Sequence, residues 1–373
     1  MNNIEFLRQE RKDIIKDYPS KEIPNTIVDD LVKSINEIQY VIVKEIIEET
    51  KDTKSFILIP DKSKGTNTLE PFKAGQYISI KMFIGDTYVT RAYSLSSSPK
   101  DAINGIYRIT IKRVEKGLVS NALLDDMKVG DGLAISKPTG IFTYNKIRDE
   151  ENVIAIAGGC GITPFMSLAK SIIDGIEDCY LTVFYSVKTE NDIIFKKDIE
   201  LINKKSKKVK FIITLTREDK NDYLNGHITK DMIEPYLKDF NTIFMCGPKE
   251  LYKSMNEILN ELNIPRKSVH YENFYTEYTP LEINTYELKI LMKNKTEVIT
   301  CKSNETLLVS LEKAGIKAPS LCRVGTCGFC RSILIDGKIK TVGESKPKAL
   351  TINDYIHPCV TYPESDIVIR IDI

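Results

Sequence analysis

The chain has 373 residues, with 53 Lys and Arg against 52 Asp and Glu. That length favours two or three domains, and the balanced charge excludes a general basic footprint for nucleic acid and an acidic tail. No apolar run reaches the length of a membrane span and the start, MNNIEFLRQERKDIIKDY, is charged throughout, so a cytoplasmic protein without a transmembrane segment is expected.

Residues 1–36 read as a helical N-terminal extension. Ile4, Leu7, Ile14 and Ile15 have amphipathic spacing, Pro19 and Pro24 interrupt it, and a second helical stretch covers Ile27 to Ile35. It either packs on its own chain or offers a docking surface. Over residues 37–148 the runs SFILIP, QYISIKMF, YRITIKRV and GLAISKP, broken by Gly, Pro and Asp, predict an antiparallel barrel or sandwich. Over residues 149–276 the pattern changes. VIAIA, YLTVFYS, KFIITLT and TIFMC are nearly continuous apolar strands, each followed by a helical or turn-rich segment, which predicts a parallel sheet wrapped by helices. Tyr275–Asn284, polar and containing Pro280, reads as a linker crossed by few contacts. Over residues 285–373, YELKILMKN and EVITCK predict a hairpin and ETLLVSLEKAG a helix.

The last stretch holds Cys322, Cys327, Cys330 and Cys359, in the C-x4-C-x2-C…C spacing that ligates a [2Fe–2S] cluster. Gly325 and Gly328 lie between the ligands, where the chain bends tightly. Structural zinc is the alternative, but it more often uses two C-x2-C knuckles or histidine, and only one knuckle is present. Cys160, Cys179 and Cys301 read as small buried side chains. His227, His270 and His357 share no ligand spacing, and no serine–histidine–acid set or carboxylate pair stands out.

VIAIA runs into Gly158-Gly159-Cys160-Gly161-Ile162-Thr163-Pro164 and then a helix, with Thr163 expected as its N-cap and Pro164 at its first position. Glycines there let the backbone approach a pyrophosphate at the helix N-terminus, although the motif is not GxGxxG. Arg91-Ala92-Tyr93-Ser94 precedes it and Cys246-Gly247-Pro248 follows it. Taken singly, each could be an ordinary turn.

In this order the three motifs resemble the ferredoxin–NADP reductase superfamily over Tyr40 to Phe274, and ETLLVSLEKAGIKAPSLCRVGTCGFC resembles the plant-type ferredoxins. The resemblance implies an antiparallel β-barrel that binds FAD, an α/β parallel-sheet domain for NADH or NADPH, and an α+β, β-grasp [2Fe–2S] domain. By motif, Arg91, Tyr93 and Ser94 would contact the flavin, with Tyr93 against the ring and Ser94 at N5. Ile111, Lys112 and Arg113 match the second flavin segment. Gly117, Leu118, Val119 and Ser120 match the pyrophosphate loop, which favours FAD over FMN. Gly159, Gly161, Ile162, Thr163 and Pro164 would line the nicotinamide nucleotide's pyrophosphate, and Tyr185 and Ser186 its ribose. Cys246, Gly247 and Pro248 would lie beside the nicotinamide, which makes Ser94 and Cys246 the catalytic candidates. No acid occupies the immediate strand end after Tyr185, while Lys188 and Arg217 could receive a 2′-phosphate, so NADH and NADPH both stay open. A chain with all three sites would take hydride from NAD(P)H and pass single electrons to a partner protein, such as an oxygenase, a hybrid-cluster protein or a corrinoid protein. A general diaphorase and a redox sensor without turnover are the alternatives.

Overall fold

A computed structural model describes residues 38–85, 87–274, 278–293, 295–342 and 355–371; the helical extension expected over residues 1–36 lies outside the described residues. The first sheet contains β1 (Ile38–Thr50), β2 (Thr53–Pro60), β3 (Tyr77–Ile84), β4 (Thr87–Ser94), β5 (Tyr107–Lys112) and β6 (Gly132–Ser136). Its order is β4-β3-β6-β1-β2-β5 with every pair antiparallel. The alternation that marks these runs as strands places Val41, Val43, Phe56, Leu58, Ile78, Ile80, Ile109 and Ile135 in one core. Helix α1 (Pro99–Ile103) follows a Ser98 cap, and α2 (Leu118–Asp125) lays Leu123 and Leu124 on that core. The sheet curls until Leu95, just past β4, bridges Ile109 of β5, so it is a half-barrel whose outer strands approach at a single bridge.

The second sheet contains β7 (Asn152–Gly158), β8 (Tyr180–Val187), β9 (Val209–Leu215), β10 (Leu224–Asn225), β11 (Thr242–Cys246) and β12 (Val269–Glu272). All are parallel, in the order β10-β9-β8-β7-β11-β12. Both faces are covered, by α3 (Thr163–Ile173) and α4 (Lys196–Lys205) on one side and by α5 (Lys230–Ile233) and α6 (Lys249–Glu261) on the other. That is why the strands are nearly continuous in apolar residues. Val153, Ala155 and Ala157 face one core while Ile154 and Ile156 face the other.

Barrel and nucleotide domain are joined by polar contacts. Arg108 pairs with Glu49 and, at 3.0 Å, with Asp198 of α4, and its guanidinium lies 4.6 Å from the Phe195 ring centroid. Phe195 takes a left-handed φ of 62° and gives its N–H to Glu49 at 3.2 Å. Ser167 of α3, fully buried, donates to the Ser97 carbonyl at 2.7 Å. Removing one partner of so buried a charge pair is strongly destabilising, so this network fixes where the nucleotide domain stands on the barrel.

The third sheet contains β13 (Thr285–Met292), β14 (Lys295–Lys302), β15 (Ser332–Asp336), β17 (Tyr355–Ile356) and β19 (Ile367–Arg370), ordered β14-β13-β19-β15-β17. Only the β13–β19 pair is parallel. Helix α7 (Leu307–Lys313), capped by Thr306, packs across it, and β16 (Ile339–Thr341) pairs with β18 (Thr361–Pro363) beside it. This is the expected β-grasp arrangement.

The segment between the second and third sheets differs from its compositional reading. Asn284 N–H donates to Ser303 Oγ at 2.9 Å, Ser303 donates to the Glu282 carbonyl at 3.1 Å, and the Tyr278 ring meets Tyr362 edge-on. The third domain also touches the barrel. Ser79 Oγ donates to the Leu321 carbonyl at 3.1 Å, and Lys317 Nζ lies 5.6 Å from the Phe83 ring centroid. A polar stretch with one proline conceals these contacts because their partners lie far away in sequence.

Candidate functional site

β4 is an edge strand of the barrel and carries Arg91, Tyr93 and Ser94. Arg91 donates to the Thr90 carbonyl at 2.8 Å and forms no ion pair with a described carboxylate. Burial, aided by the Arg323 charge, pulls its guanidinium down to about 10. A cation held this way fits an anionic ligand. Tyr93 packs on the barrel core, and burial pushes its phenol well above the ordinary range. Nearby, Val114–Ser120 forms a turn closed by Gly117 N–H to the Val114 carbonyl at 2.9 Å. Gly117 begins α2 without a side-chain cap, and a Cβ there would lie 2.5 Å from Ser120 Oγ. The first amides of α2, at Leu118, Val119 and Ser120, are thus open to phosphate oxygens. Lys112 pairs with Asp52 at 2.9 Å, Arg113 with Asp125, and Ile111 is in the core. Lys112 and Arg113 thus spend side-chain donors on acids of their own domain, and Ile111 packs inside it.

At the head of β7 the structure corrects the cap assignment. Gly159–Ile162 is a 3-10 turn that runs straight into α3, so Thr163 is already helical, and its hydroxyl donates to the Cys160 carbonyl at 3.0 Å. No chain break remains at which Thr163 could cap. Gly159 has a φ of +53° with open space where a side chain would be. A Cβ on Gly161 would lie 2.1 Å from the Cys246 carbonyl oxygen, and one on Gly158 2.7 Å from Pro248 Cδ. The Gly158–Pro164 and Cys246–Pro248 loops thus pack backbone to backbone at the carboxyl ends of neighbouring strands, where open α/β sheets bind ligands.

Tyr185 departs from the ribose assignment. It is fully buried and its hydroxyl accepts from Ile194 N–H at 3.3 Å, which leaves Ser186 as the accessible member of that pair. Beyond it, Arg217 N–H donates to the Lys188 carbonyl at 2.9 Å, placing two exposed cations side by side. The nearby acids are occupied. Glu190 binds Lys196, Lys220 and Tyr223, and Asp192 receives Thr189 N–H and Oγ.

The two halves of the site meet at a residue that sequence reading missed. Ser94 Oγ donates to Glu272 Oε2 at 3.3 Å, and Glu272 is the register partner of Cys246. Gly247 N–H donates to the Tyr252 hydroxyl at 3.1 Å, and that hydroxyl donates to the Glu272 carbonyl. Ser94, Cys246 and Glu272 are all buried. Burial lifts the Glu272 carboxyl from an ordinary 4.5 to about 8, against the opposing pull of the Ser94 hydrogen bond. Burial also pushes the Cys246 thiol far up, with the Glu272 charge adding to it. An acid at the carboxyl end of a strand, within His270-Tyr271-Glu272, was the available signal.

A step that adds negative charge beside Glu272 should therefore slow as pH rises through about 8. Glu272→Gln should remove that inflection. Ser94→Ala, which deletes the hydrogen bond that holds the value down, should move it upward and slow flavin reduction roughly tenfold. Stopped-flow flavin reduction by NAD(P)H between pH 6 and pH 10 measures both, and an unaltered inflection in Glu272→Gln would show that another group titrates. Stability follows the same sign. The unfolded chain loses this proton near 4.5 and the folded chain near 8, so the contribution is whole below 4.5 and lost as pH climbs through 8.

In the third domain the four clustered thiols come together. Cys322 lies against Cys327 and Cys359, and Cys330 Sγ is 3.3 Å from Cys359 Sγ. Backbone N–H groups aim at them, from Val324 and Cys327 to Cys322 Sγ at 3.5 and 3.4 Å and from Phe329 to Cys327 Sγ at 3.5 Å. Left-handed φ values at Arg323, Gly325 and Gly328 turn the loop so that its amides face inward. Hydrogen bonds from Cys327 and Cys359 hold the Cys322 thiol far below its usual range. Among the described residues, no three Cys, His, Asp or Glu side chains converge as ligands of one ion. Their contacts run Cys327–Cys322–Cys359–Cys330, an order that fits two irons with two thiolates each. His357, buried, shares a hydrogen bond with the Gly325 carbonyl at 2.9 Å and so ties the loop to the segment carrying Cys359. Arg323 forks onto Glu312 of α7. Cys327 is exposed, whereas the other three thiols are buried.

Three families match the chain in the order of its sheets: the oxidoreductase FAD-binding domain over residues 41–144, the oxidoreductase NAD-binding domain over 155–257, and the 2Fe-2S iron-sulfur cluster binding domain over 291–364. The chain belongs to the ferredoxin–NADP reductase superfamily. It is an NAD(P)H-dependent flavin and iron–sulfur oxidoreductase of the type with a C-terminal [2Fe–2S] domain. The glycine betaine monooxygenase reductase subunit of Chromohalobacter salexigens is 26% identical over 87% of this chain and 93% of its own. The NADH oxidoreductase HCR of Escherichia coli is 26% identical over 88% and 96%. The fold is shared with phthalate dioxygenase reductase, with a TM-score of 0.68, 22% identity, and 91% and 98% of the two chains covered. Among the described residues no helix is long and apolar enough to cross a membrane.

Proposed function

We propose that this reductase supplies an oxygenase component with single electrons drawn from NAD(P)H, and that the partner docks at Thr326–Phe329. Exposure of Cys327, alone among four thiols, carries the docking assignment, because an acceptor protein can approach the cluster loop there. The reductase relatives named for a monooxygenase support the choice of partner. When bound, the flavin accepts electrons in pairs and releases them singly, and the [2Fe–2S] cluster carries one at a time. The chain's own residues hold these groups. Arg91 offers a half-buried positive charge and α2 its open amides to the flavin phosphates, and Tyr93 packs the ring. The Gly159–Pro164 loop and Ser186 take the nicotinamide nucleotide, with Cys246 behind the nicotinamide. Ser94 and Glu272 stand where a proton can be held at the flavin's reacting edge, and Cys322, Cys327, Cys330 and Cys359 bind the cluster. The test is anaerobic transfer to a purified oxygenase component, with ferricyanide as the control. Phe329→Glu should cut kcat/KM for the oxygenase component by roughly tenfold, as for loss of an interface anchor, and leave ferricyanide reduction unchanged. Ferricyanide reduction with no transfer to the protein would favour the general diaphorase.

A further inference from the structure

One buried hydroxyl spans the boundary between barrel and ferredoxin domain. Ser79 is fully buried in β3, and its Oγ donates at 3.1 Å to the carbonyl of Leu321, the residue before Cys322. Its backbone N–H is held separately by Ser136 Oγ at 2.9 Å, so the hydroxyl is free to serve the other domain. Across the ladder Ser79 pairs with Ala92, inside the Arg91–Ser94 strand. A cavity of about 350 Å³ lies alongside, with Arg91, Ala92 and Phe274 on one side and Cys322, Arg323 and Cys359 on the other. Lys317 over the Phe83 and Tyr88 rings marks the same approach of the two domains. A buried donor and a buried carbonyl that satisfy each other across a boundary each lose a partner when the domains part, which makes the contact specific in register.

We propose that Ser79 is a positioning residue that docks the cluster-binding loop, through the Leu321 carbonyl, onto the flavin-binding strand. The inference rests on the cofactor sites proposed above. It fixes the approach of Cys322 to the flavin site with one hydrogen bond that belongs to neither site. Loss of the hydroxyl leaves Leu321 unsatisfied, and the loop relaxes away from β3 while both cofactor sites keep their own residues.

Ser79→Ala and Ser79→Thr in the full-length holoprotein test this. In Ser79→Ala the flavin content, ferricyanide reduction and the EPR line shape and spin count of the dithionite-reduced cluster should match the wild type. Cluster reduction after anaerobic mixing with NAD(P)H should lag flavin reduction by roughly tenfold more than in the wild type, since losing one buried hydrogen bond shifts a docking equilibrium by about that factor. Ser79→Thr, which keeps the hydroxyl, should restore the transfer. A wild-type transfer rate in Ser79→Ala overturns the proposal. So does a lost or altered cluster EPR signal, which would make Ser79 a structural support of the cluster. Absence of flavin or cluster from the wild-type protein overturns both this and the cofactor assignment, and is read before any variant is made.

Discussion

Replacing Cys359 by alanine is expected to leave a flavin-containing protein that reduces ferricyanide at the parental rate and a protein acceptor at least roughly 100-fold more slowly. The size follows from metal-site energetics, in which partners one step removed from the ligands are already worth about 10- to 100-fold, so loss of a ligand sets the floor near the upper figure. The selectivity follows from the fold. Cys359 lies beside Cys330 in a small cluster with Leu308 and Val360, in a domain separate from those that carry α2 and the Gly159–Pro164 loop. Alanine preserves the packing there apart from one sulfur atom and, unlike serine, offers iron no oxygen ligand. Iron and sulfide per flavin should fall well below the parental ratio. Acceptor reduction that survives an iron-free preparation would show that electrons leave from the flavin directly, and the assignment of Thr326–Phe329 as docking site would fall with it.

The sequence reveals most where function constrains neighbours along the chain. Cys322, Cys327 and Cys330 must reach one cluster from one loop, so their spacing survives as a pattern, and the thiols come together as that pattern requires. The parallel strands are legible for a different reason, since burial of both faces leaves no polar position to interrupt Val153–Ala157. Local reading failed at Thr163, where the rule for a helix start is sound but the preceding turn already supplies helical backbone. It failed at Tyr185, because strand order puts a residue near the ligand edge without telling which way its side chain points. Glu272 and Ser79 could not be found by spacing at all. Their partners lie 178 and 242 residues away, and only the docking of one domain on another creates the contact. The fold was thus legible domain by domain, whereas the chemistry between domains was not.

Gly161→Ala should give the other large effect, on the nucleotide side alone. Its Cβ would lie 2.1 Å from the Cys246 oxygen, 2.5 Å from the Cys246 carbonyl carbon and 2.9 Å from Gly247 N. All three are backbone atoms, so no side chain can rotate to make room. Either the turn before α3 or the end of β11 must move, and both were proposed to hold the nicotinamide nucleotide. Overpacking of this kind costs about 1–3 kcal/mol, which for a domain of this size lowers Tm by several degrees. The kinetic loss should be larger. A displacement near 1 Å at the hydride-donor site can cost about 100-fold, so NAD(P)H-driven flavin reduction should fall by that order. Transfer from flavin to cluster should be unaffected, since β4, Ser79 and the Leu321 carbonyl are untouched by the clash. Gly175→Ala provides the control, because that glycine has a φ of +75° with nothing within 4 Å of the added carbon. It carries the backbone strain of a substituted left-handed glycine without the collision, so it should lower Tm and leave the NAD(P)H rate alone. Stopped-flow reduction and thermal melts of both variants decide the matter: a Gly161→Ala protein as fast as Gly175→Ala would mean that contact between the two loops does not set the position of the nicotinamide.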